Sequence, residues 1–292
     1  MHKIKKIIKV YAIMYLLGLV LVFTLYSIIP VLIIKDESLL GFGQNTYWEQ
    51  DLDITQSKLE FEPSLIKGEN FNIAEVHTVY NLNRYKMTIV ELSGKDLEYF
   101  YFKQNPPKIS DLAMRNNCEV AINASYFSGT KLSATHVGLL SIWGRQHVPI
   151  GSENQLTHAA VFYKQSKTVR FFDANSYKSS VQNDVIEFQT GPLVLDDGEV
   201  QKSFVNNSVN GTTRHKRLLL ATDETNRIFI IVVREKVNLI ELANYLRSLN
   251  VFGKELDVIN LDGGKSVALW DRYYPEVNYN SNDRLPLVIC VK

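Results

Sequence analysis

The sequence has few cysteines and histidines, and it lacks the short motifs that mark many common enzyme classes. Its 292 residues include only Cys118 and Cys290. Two cysteines make neither a disulfide framework nor, by themselves, a zinc site. The six histidines are scattered, and none forms an H-x-H or H-x₃-H pair. A serine-nucleophile G-x-S-x-G, a P-loop and a dinucleotide-binding glycine fingerprint are all missing. His136 and His215 lie in polar segments and are only second-rank acid or base candidates.

A basic surface is also missing outside the N-terminus. Residues 1–35 contain five lysines and no acidic residue, which leaves 27 basic and 31 acidic residues, a net charge of −4, for the rest of the chain. A nucleic-acid-binding domain usually carries a clustered positive face. The sequence therefore predicts no nucleic-acid partner.

The longest uncharged run covers residues 10–34. As a helix rising about 1.5 Å per residue, it is long enough to cross a hydrocarbon core of about 30 Å. A cleaved signal peptide is the alternative, but the run exceeds a usual signal core and no clear cleavage site follows, so an uncleaved anchor is favoured. The lysines before it predict a cytoplasmic basic tail at 1–9 and an extracytoplasmic domain anchored to the cell membrane. Residues 35–70 are then a spacer, and residues 71–292 form the domain.

The domain is predicted to be α+β, strand-rich, with few helices and one core. Alternating apolar residues between 77 and 102 predict paired strands, and the last run, 285–292, predicts a closing strand. Asp197-Gly198 and residues 223–226 indicate hairpin turns. Residues 238–249 have the apolar spacing of a helix, with Asn238 and Glu241 as a capping box. A shorter helix over 111–117 is predicted to be capped by Ser110.

The two cysteines leave an alternative open. Both lie in apolar, strand-like segments. An extracytoplasmic location allows one bridge between Cys118 and Cys290, whereas two buried free thiols fit the same pattern.

The most informative stretch is residues 257–266, DVINLDGGKS. Residues 257–261 have the apolar and β-branched composition of a buried strand. Asp262 follows them directly, and two glycines come next. A strand with this ending places the acidic side chain at the edge of a sheet, where the backbone turns sharply. Successive N–H groups in such a turn can bind an anion. A tight turn with an exposed aspartate is the plainer interpretation of this motif taken alone.

Three further segments, taken with this one in order, resemble the phosphodiester glycosidase family. The family's N-G-G-F-F is similar to NASYF at 123–127, and its G-P-x-L is similar to GPLVL at 191–195. Its R-T-A-I-G resembles RLLLA at 217–221, and its N-L-D-G-G-G-S-S resembles NLDGGKSV at 260–267. The sequence departs from the pattern at several positions. Ala124, Ser125 and Lys265 stand where the family has glycine, the third motif keeps Arg217 but loses its threonine and glycine, and Val267 stands in place of the second serine.

The resemblance implies a hydrolase that cleaves a sugar-1-phosphodiester at the anomeric carbon, in exopolysaccharide or envelope glycan metabolism. Phosphate is a good leaving group, so one key carboxylate can suffice where ordinary glycosidases use two. Asp262 is then a base or nucleophile or orients the sugar, Arg217 binds the phosphate and Asn123 hydrogen-bonds the sugar. The implied substrate-binding residues are Gly263, Gly264, Lys265, Ser266, Tyr126, Gly191 and Asp223.

Two other functions stay open at this point. The lost glycines and the Lys265 substitution motivate a non-catalytic glycan-binding or polysaccharide-assembly protein on the same fold. A divalent-metal phosphodiesterase would need acidic residues clustered around Asp262. The sequence assigns no metal ligand and predicts no cofactor, although it does not exclude a divalent metal.

Overall fold

The computed structural model describes residues 77–292 except 93, 131–132, 180–181, 202–203, 205–210 and 280–283. The predicted basic tail, membrane anchor and spacer lie outside the described residues. Within the described ranges no helix is long and apolar enough to span a bilayer.

Antiparallel sheets dominate the described part of the chain. The largest has seven strands, in the order β1 (Thr78–Leu82), β2 (Met87–Glu91), β15 (Ile228–Val237), β14 (His215–Asp223), β16 (Leu256–Asn260), β12 (Leu193–Asp196) and β13 (Glu199–Val200). A five-stranded sheet has the order β10 (Thr168–Asp173), β9 (His158–Tyr163), β11 (Val185–Thr190), β7 (Leu140–Ile142) and β8 (Arg145–Val148). A four-stranded sheet has the order β17 (Leu269–Asp271), β4 (Val120–Asn123), β18 (Leu287–Val291) and β3 (Leu97–Tyr101). A separate hairpin pairs β5 (Phe127–Thr130) with β6 (Ser133–His136).

Two α-helices are described, α1 (Ile109–Arg115) and α2 (Leu239–Arg247). Short 3₁₀ turns cover Arg84–Lys86 and Pro275–Val277. The prediction for α2 is confirmed: the Asn238 side chain accepts from the Glu241 N–H at 2.8 Å. The prediction of Ser110 as the cap of α1 is wrong, since the helix begins at Ile109, two residues earlier than predicted, and Lys108 holds the cap position.

The strand-rich α+β prediction is confirmed, but the expectation of one core is wrong. Alternate residues of a strand face opposite sides of the sheet. Consecutive residues of the central strands β14 and β15 are buried, so both faces of the seven-stranded sheet are covered. One apolar cluster lies among the three large sheets and includes Leu218, Leu220 and Ile259. A second lies between the seven-stranded sheet and α2 and includes Leu219 and Leu242. A third lies between α1 and the four-stranded sheet.

The cysteine alternative is resolved in favour of a bridge. Cys118, just after α1, and Cys290, in β18, form a disulfide with a Cα–Cα distance of 5.4 Å across a sequence separation of 172 residues. The bridge lies in the third apolar cluster, so it ties α1 to the last strand of the chain.

Candidate active site

The site forms where β14 begins and β16 ends, at one edge of the seven-stranded sheet. The Leu261 N–H donates to the Leu218 carbonyl at 2.8 Å, and the Gly264 N–H donates to the Lys216 carbonyl at 2.9 Å. These two bonds flank Arg217 on one side and Asp262 on the other, so the two residues face each other across neighbouring segments.

Alternation along the strands also sets which side chains share a face. Leu219 points toward α2, so Arg217, two residues earlier on β14, points to the same side. Asn260 and Asp262 share that face by the same rule, because Val258 also packs toward α2. Arg217, Asn260 and Asp262 therefore come from one face of one sheet edge.

The Asp262 carboxyl has an unusual environment for an acid. Burial raises its pKa to about 7, and hydrogen bonds from the Ser266 hydroxyl and the Gly263 N–H act in the opposite direction. A carboxyl that ionises near neutral pH can take up or release a proton at physiological pH, which suits general acid–base chemistry.

Tyr126 connects the parts of the site. Its hydroxyl donates to the Gly191 carbonyl at 2.8 Å and accepts from Asn260 Nδ2 at 2.7 Å. Its pKa is raised by burial and by the charge of Asp262, while Arg217 and the Asn260 hydrogen bond act in the opposite direction. Tyr126 therefore stays a neutral phenol, held between the acid and the guanidinium.

Arg217 is almost fully buried, with 3% of its surface exposed. Its Nε donates to the Val237 carbonyl at 3.3 Å, and one terminal nitrogen donates to the Thr213 carbonyl at 2.7 Å. Burial lowers the pKa of Arg217, and the neighbouring Tyr126 acts in the opposite direction. An arginine still carries its charge in such a site, so it places a positive charge near Tyr126.

Asn123 also reaches the site, but its amide holds main-chain groups. Its nitrogen donates to the Asp262 carbonyl at 2.7 Å, and its oxygen accepts from the Ala268 N–H at 2.9 Å. The two bonds fix both ends of the glycine loop, residues 262–268, onto β4. Direct hydrogen bonding of Asn123 to a sugar stays a prediction.

The glycine loop has local reasons for its sequence. A Cβ on Gly263 would lie 2.7 Å from the Lys216 carbonyl oxygen, so a side chain at this position would displace the loop from β14. Gly264 has φ +63°, a conformation that side chains disfavour. The predicted N–H cradle is not formed by Gly263, Gly264 and Ser266 here, because their N–H groups bond to Asp262, Lys216 and Gly263 respectively. Lys265 is exposed on the loop.

Asp223 is the predicted site residue that the structure does not bring to this edge. It ends β14, six residues and about 20 Å of extended strand away from Arg217. Its buried carboxylate accepts from the side chains of Thr225 and Arg227, closing the β14–β15 hairpin. Asp223 therefore has a hairpin role, and its ion-pair partner is Arg227 rather than Arg217.

Asn260 belongs to the site although no role was expected for it. Its Nδ2 lies within 3.2 Å of three acceptors, while its buried Oδ1 has no hydrogen-bond partner among the described residues. An acceptor left in this state is the natural target for a hydroxyl donor. The position of Asn260 two residues before Asp262 could have predicted this role, because residues two apart on a strand have their side chains on the same face.

The acid cluster that a metal-dependent phosphodiesterase would need does not surround Asp262 in the described part of the chain. The group of acids close enough to share an ion is Asp196, Asp197 and Asp257. It lies at the β12–β13 turn and the start of β16, the opposite end of that strand. His136 is buried, which lowers its pKa to about 4 and keeps its ring neutral at physiological pH.

Comparison with known proteins identifies the family and the fold. The family model for phosphodiester glycosidases matches residues 116–292, and the chain belongs to that family. Among solved structures, the zebrafish N-acetylglucosamine-1-phosphodiester alpha-N-acetylglucosaminidase catalytic domain, auto-inhibited by its pro-peptide, is similar at 18% identity with a TM-score of 0.51. That match covers 77% of this chain and 85% of the zebrafish one. A putative exported protein from Burkholderia pseudomallei has 10% identity and a TM-score of 0.50, with 74% of each chain covered. These identities establish a shared fold only. No curated protein sequence matches the chain significantly.

Proposed function

We propose that the domain hydrolyses a sugar-1-phosphodiester at the anomeric carbon and releases a free sugar and a phosphomonoester. The observation that carries this proposal is the Asp262 carboxyl, whose pKa is raised to about 7 and which is coupled through Tyr126 to the buried charge of Arg217. Family membership supports the substrate class, and the Asp262 carboxyl and the Arg217 cation both act electrostatically on Tyr126.

The chemistry follows from the leaving group. A phosphomonoester departs as a stable anion, so the bond from the anomeric carbon to oxygen can break with little protonation by the enzyme. One carboxylate is then sufficient. Asp262 in its ionised form takes a proton from water as the water oxygen bonds to the anomeric carbon, and the phosphate oxygen leaves with the bonding electrons. The positive charge of Arg217 stabilises the charge that develops on the phosphate.

Neutral groups of the site suit the sugar. Asn260 Oδ1, which has no hydrogen-bond partner among the described residues, accepts from a sugar hydroxyl. The Tyr126 ring provides an apolar face for the sugar. Tyr126 itself stays protonated, because burial raises its pKa. It therefore orients groups and does not act as a nucleophile.

The departures from the family's glycines do not obstruct this site. Ala124 is fully buried in the cluster among the sheets. The Ser125 hydroxyl is buried as well and donates to the Gln189 carbonyl. Only Lys265 adds an exposed side chain, and its positive charge favours a phosphate. This placement favours the enzyme over a non-catalytic glycan-binding protein.

A panel of sugar-1-phosphodiesters that differ in sugar and in alcohol tests the proposal. We expect at least one member to yield equal amounts of reducing sugar and phosphomonoester, measured by chromatography, because cleavage at the anomeric carbon releases both. Saturable binding across the panel without turnover would contradict the proposal and favour the glycan-binding alternative.

We propose further that residues 10–34 anchor the domain to the membrane and that the domain lies outside the cytoplasm, where an exopolysaccharide or envelope glycan is accessible. The disulfide supports this location, because such bonds persist mainly in oxidising compartments.

The disulfide also provides a test of the location. Protein taken from cells and unfolded in urea should react with a thiol-specific maleimide only after reduction, since both cysteines are buried in the folded chain. The Cys118→Ser/Cys290→Ser variant should lose about 2–5 kcal/mol of unfolding free energy in urea, since the bridge closes a long loop. Maleimide labelling before reduction in most molecules would show free thiols and would contradict the extracytoplasmic assignment.

A further inference from the structure

A cleft lies where β1, β2 and β15 meet the 3₁₀ turn Pro275–Val277, and it contains the cation Arg234. It has a volume of about 260 Å³, and its lining includes Asn81, Lys86, Thr88, Arg234 and Glu276. We call it the Arg234 cleft. None of the motifs that mark the family contains these residues.

The Arg234 cleft arises from an irregularity in strand pairing. His215 pairs with Val237 and Arg217 pairs with Val233, so an advance of two residues along β14 is matched by four residues along β15, which is a bulge. Arg234 is the first residue of the extra segment. Bulges of this kind redirect side chains and occur frequently beside active sites.

Arg234 is a half-buried cation without a carboxylate partner in the described part of the chain. One terminal nitrogen donates to the Val277 carbonyl at 2.7 Å and to the Thr88 hydroxyl at 3.1 Å. Its Nε is buried with no hydrogen-bond partner. Burial lowers the pKa of Arg234, which is the mark of a poorly solvated charge. A phosphate oxygen would compensate this charge.

The Tyr279 ring joins this cation to the catalytic edge. The Arg234 guanidinium lies 5.7 Å from the ring centroid, and the Lys216 ammonium lies 5.1 Å from it and donates to the Tyr279 hydroxyl. Lys216 also accepts the Gly264 N–H through its carbonyl and precedes Arg217. Positive charge therefore extends from Arg217, around the glycine loop, to Arg234.

The other charges at the Arg234 cleft are modest. Lys86 is exposed and pairs with Glu235 at 3.6 Å, which offsets its charge. Glu276 is exposed and forms no ion pair within 4.0 Å among the described residues. Asn81 uses its amide oxygen to accept from Thr88, at 2.9 Å, and keeps its amide nitrogen as a donor. Among the described lining residues, Arg234 and Asn81 therefore offer donors, and the exposed Glu276 side chain offers acceptors.

We propose that the Arg234 cleft is an anion subsite that binds a second phosphate group of the same substrate, so that the enzyme acts on a glycan with repeated phosphodiesters. This inference rests on the proposed function for the nature of the substrate. The cleft is too small for a whole oligosaccharide, but its volume accommodates a phosphate and part of the attached sugar.

Two measurements separate the subsite from the reaction. Binding of inorganic tripolyphosphate to the full chain, followed by calorimetry, tests the subsite without any turnover. Steady-state kinetics with a sugar-1-phosphodiester, with and without a second phosphate, tests the assignment to substrate.

The first variant is Asn81→Asp, which keeps the acceptor for Thr88 on an exposed edge strand and adds a negative charge beside Arg234. We expect tripolyphosphate binding to weaken at least about tenfold. The KM for the doubly phosphorylated substrate should rise by a similar factor, while kcat and the KM for the singly phosphorylated one stay unchanged. Asn175→Asp, an exposed position on the loop after β10, makes the same charge change and should alter neither.

Arg234→Gln is the second variant, with the exposed Arg170→Gln as its control. It should lose the tripolyphosphate site that depends on Arg234, so that fewer equivalents bind than in the wild type, even if its melting temperature falls. Unchanged binding in both cleft variants would overturn the subsite. Weakened tripolyphosphate binding with equal KM values for the two substrates would make the cleft a site for free phosphate and would overturn the substrate assignment. If no substrate is turned over, the binding measurement still decides the subsite, and the failure belongs to the proposed function.

Discussion

Replacing Asp262 with asparagine is expected to lower kcat for a sugar-1-phosphodiester by at least about a thousandfold and to stabilise the folded domain at pH 8. The amide keeps the shape of the side chain and can still accept from Ser266, but it cannot take a proton from water. Losses of this size are usual when a group that acts in the transition state is removed.

The gain in stability follows from the direction of the pKa shift. Burial raises the pKa of Asp262 in the folded chain to about 7, whereas an aspartate in the unfolded chain ionises near 3.9. The folded form therefore binds more protons between these values, and its stability falls as the pH rises from about 4 to about 7. Above pH 7 the full cost of the buried charge is present. Asp262→Asn removes it, and we expect a gain of about 1–3 kcal/mol at pH 8, with little gain at pH 4.

Wild-type kinetics should show the same ionisation. If Asp262 acts as a base, kcat/KM for the best substrate rises with pH and levels off above an apparent pKa near 7. Asp257→Asn is the matched control: this carboxyl begins the same strand and also has a raised pKa from burial, but it lies at the end away from Tyr126. It should keep wild-type kcat. An Asp262→Asn variant with more than a tenth of wild-type kcat would remove Asp262 from the chemistry.

The features that the sequence predicted well depend on local interactions. The cap of α2 needs only Asn238 and Glu241, three residues apart, and the β12–β13 turn needs only the positive φ values of Asp197 and Gly198. The helix and the hairpin could therefore be located from composition and spacing. The cap of α1 was misplaced because Ser110 is a good capping residue in general, while packing of Ile109 into an apolar cluster moved the helix start.

The sheet order and the limits of the site depend on long-range pairing. β16 lies between β14 and β12 and β15 pairs with β2, and no local signal specifies these neighbours. Family motifs compensated for this at the site, since they predicted that Asp262, Tyr126 and Arg217 belong together. They failed for Asp223, because a nine-residue strand separates its ends by more than the width of a substrate site. The Arg234 cleft could not be predicted, because it depends on a bulge.

Replacing Arg217 is expected to have the second largest effect on activity. Arg217→Lys keeps the positive charge but loses the planar fork, and we expect kcat/KM to fall by about a hundredfold. Arg217→Met removes the charge as well and should cost about a further tenfold. Both variants lose hydrogen bonds to the Thr213 and Val237 carbonyls, so some loss of stability is expected on structural grounds alone.

Activity and stability must therefore be measured separately for Arg217. Circular dichroism and thermal melts identify a temperature at which each variant is fully folded, and kinetics are then measured well below it. Arg214→Met is the control, because Arg214 lies three residues earlier, is exposed and pairs with Glu241 outside the site. It should keep wild-type kcat/KM. A folded Arg217→Met variant with wild-type kcat/KM would show that Arg217 contributes no charge to the transition state, so the stabilising charge would have to come from Lys265 or Lys216.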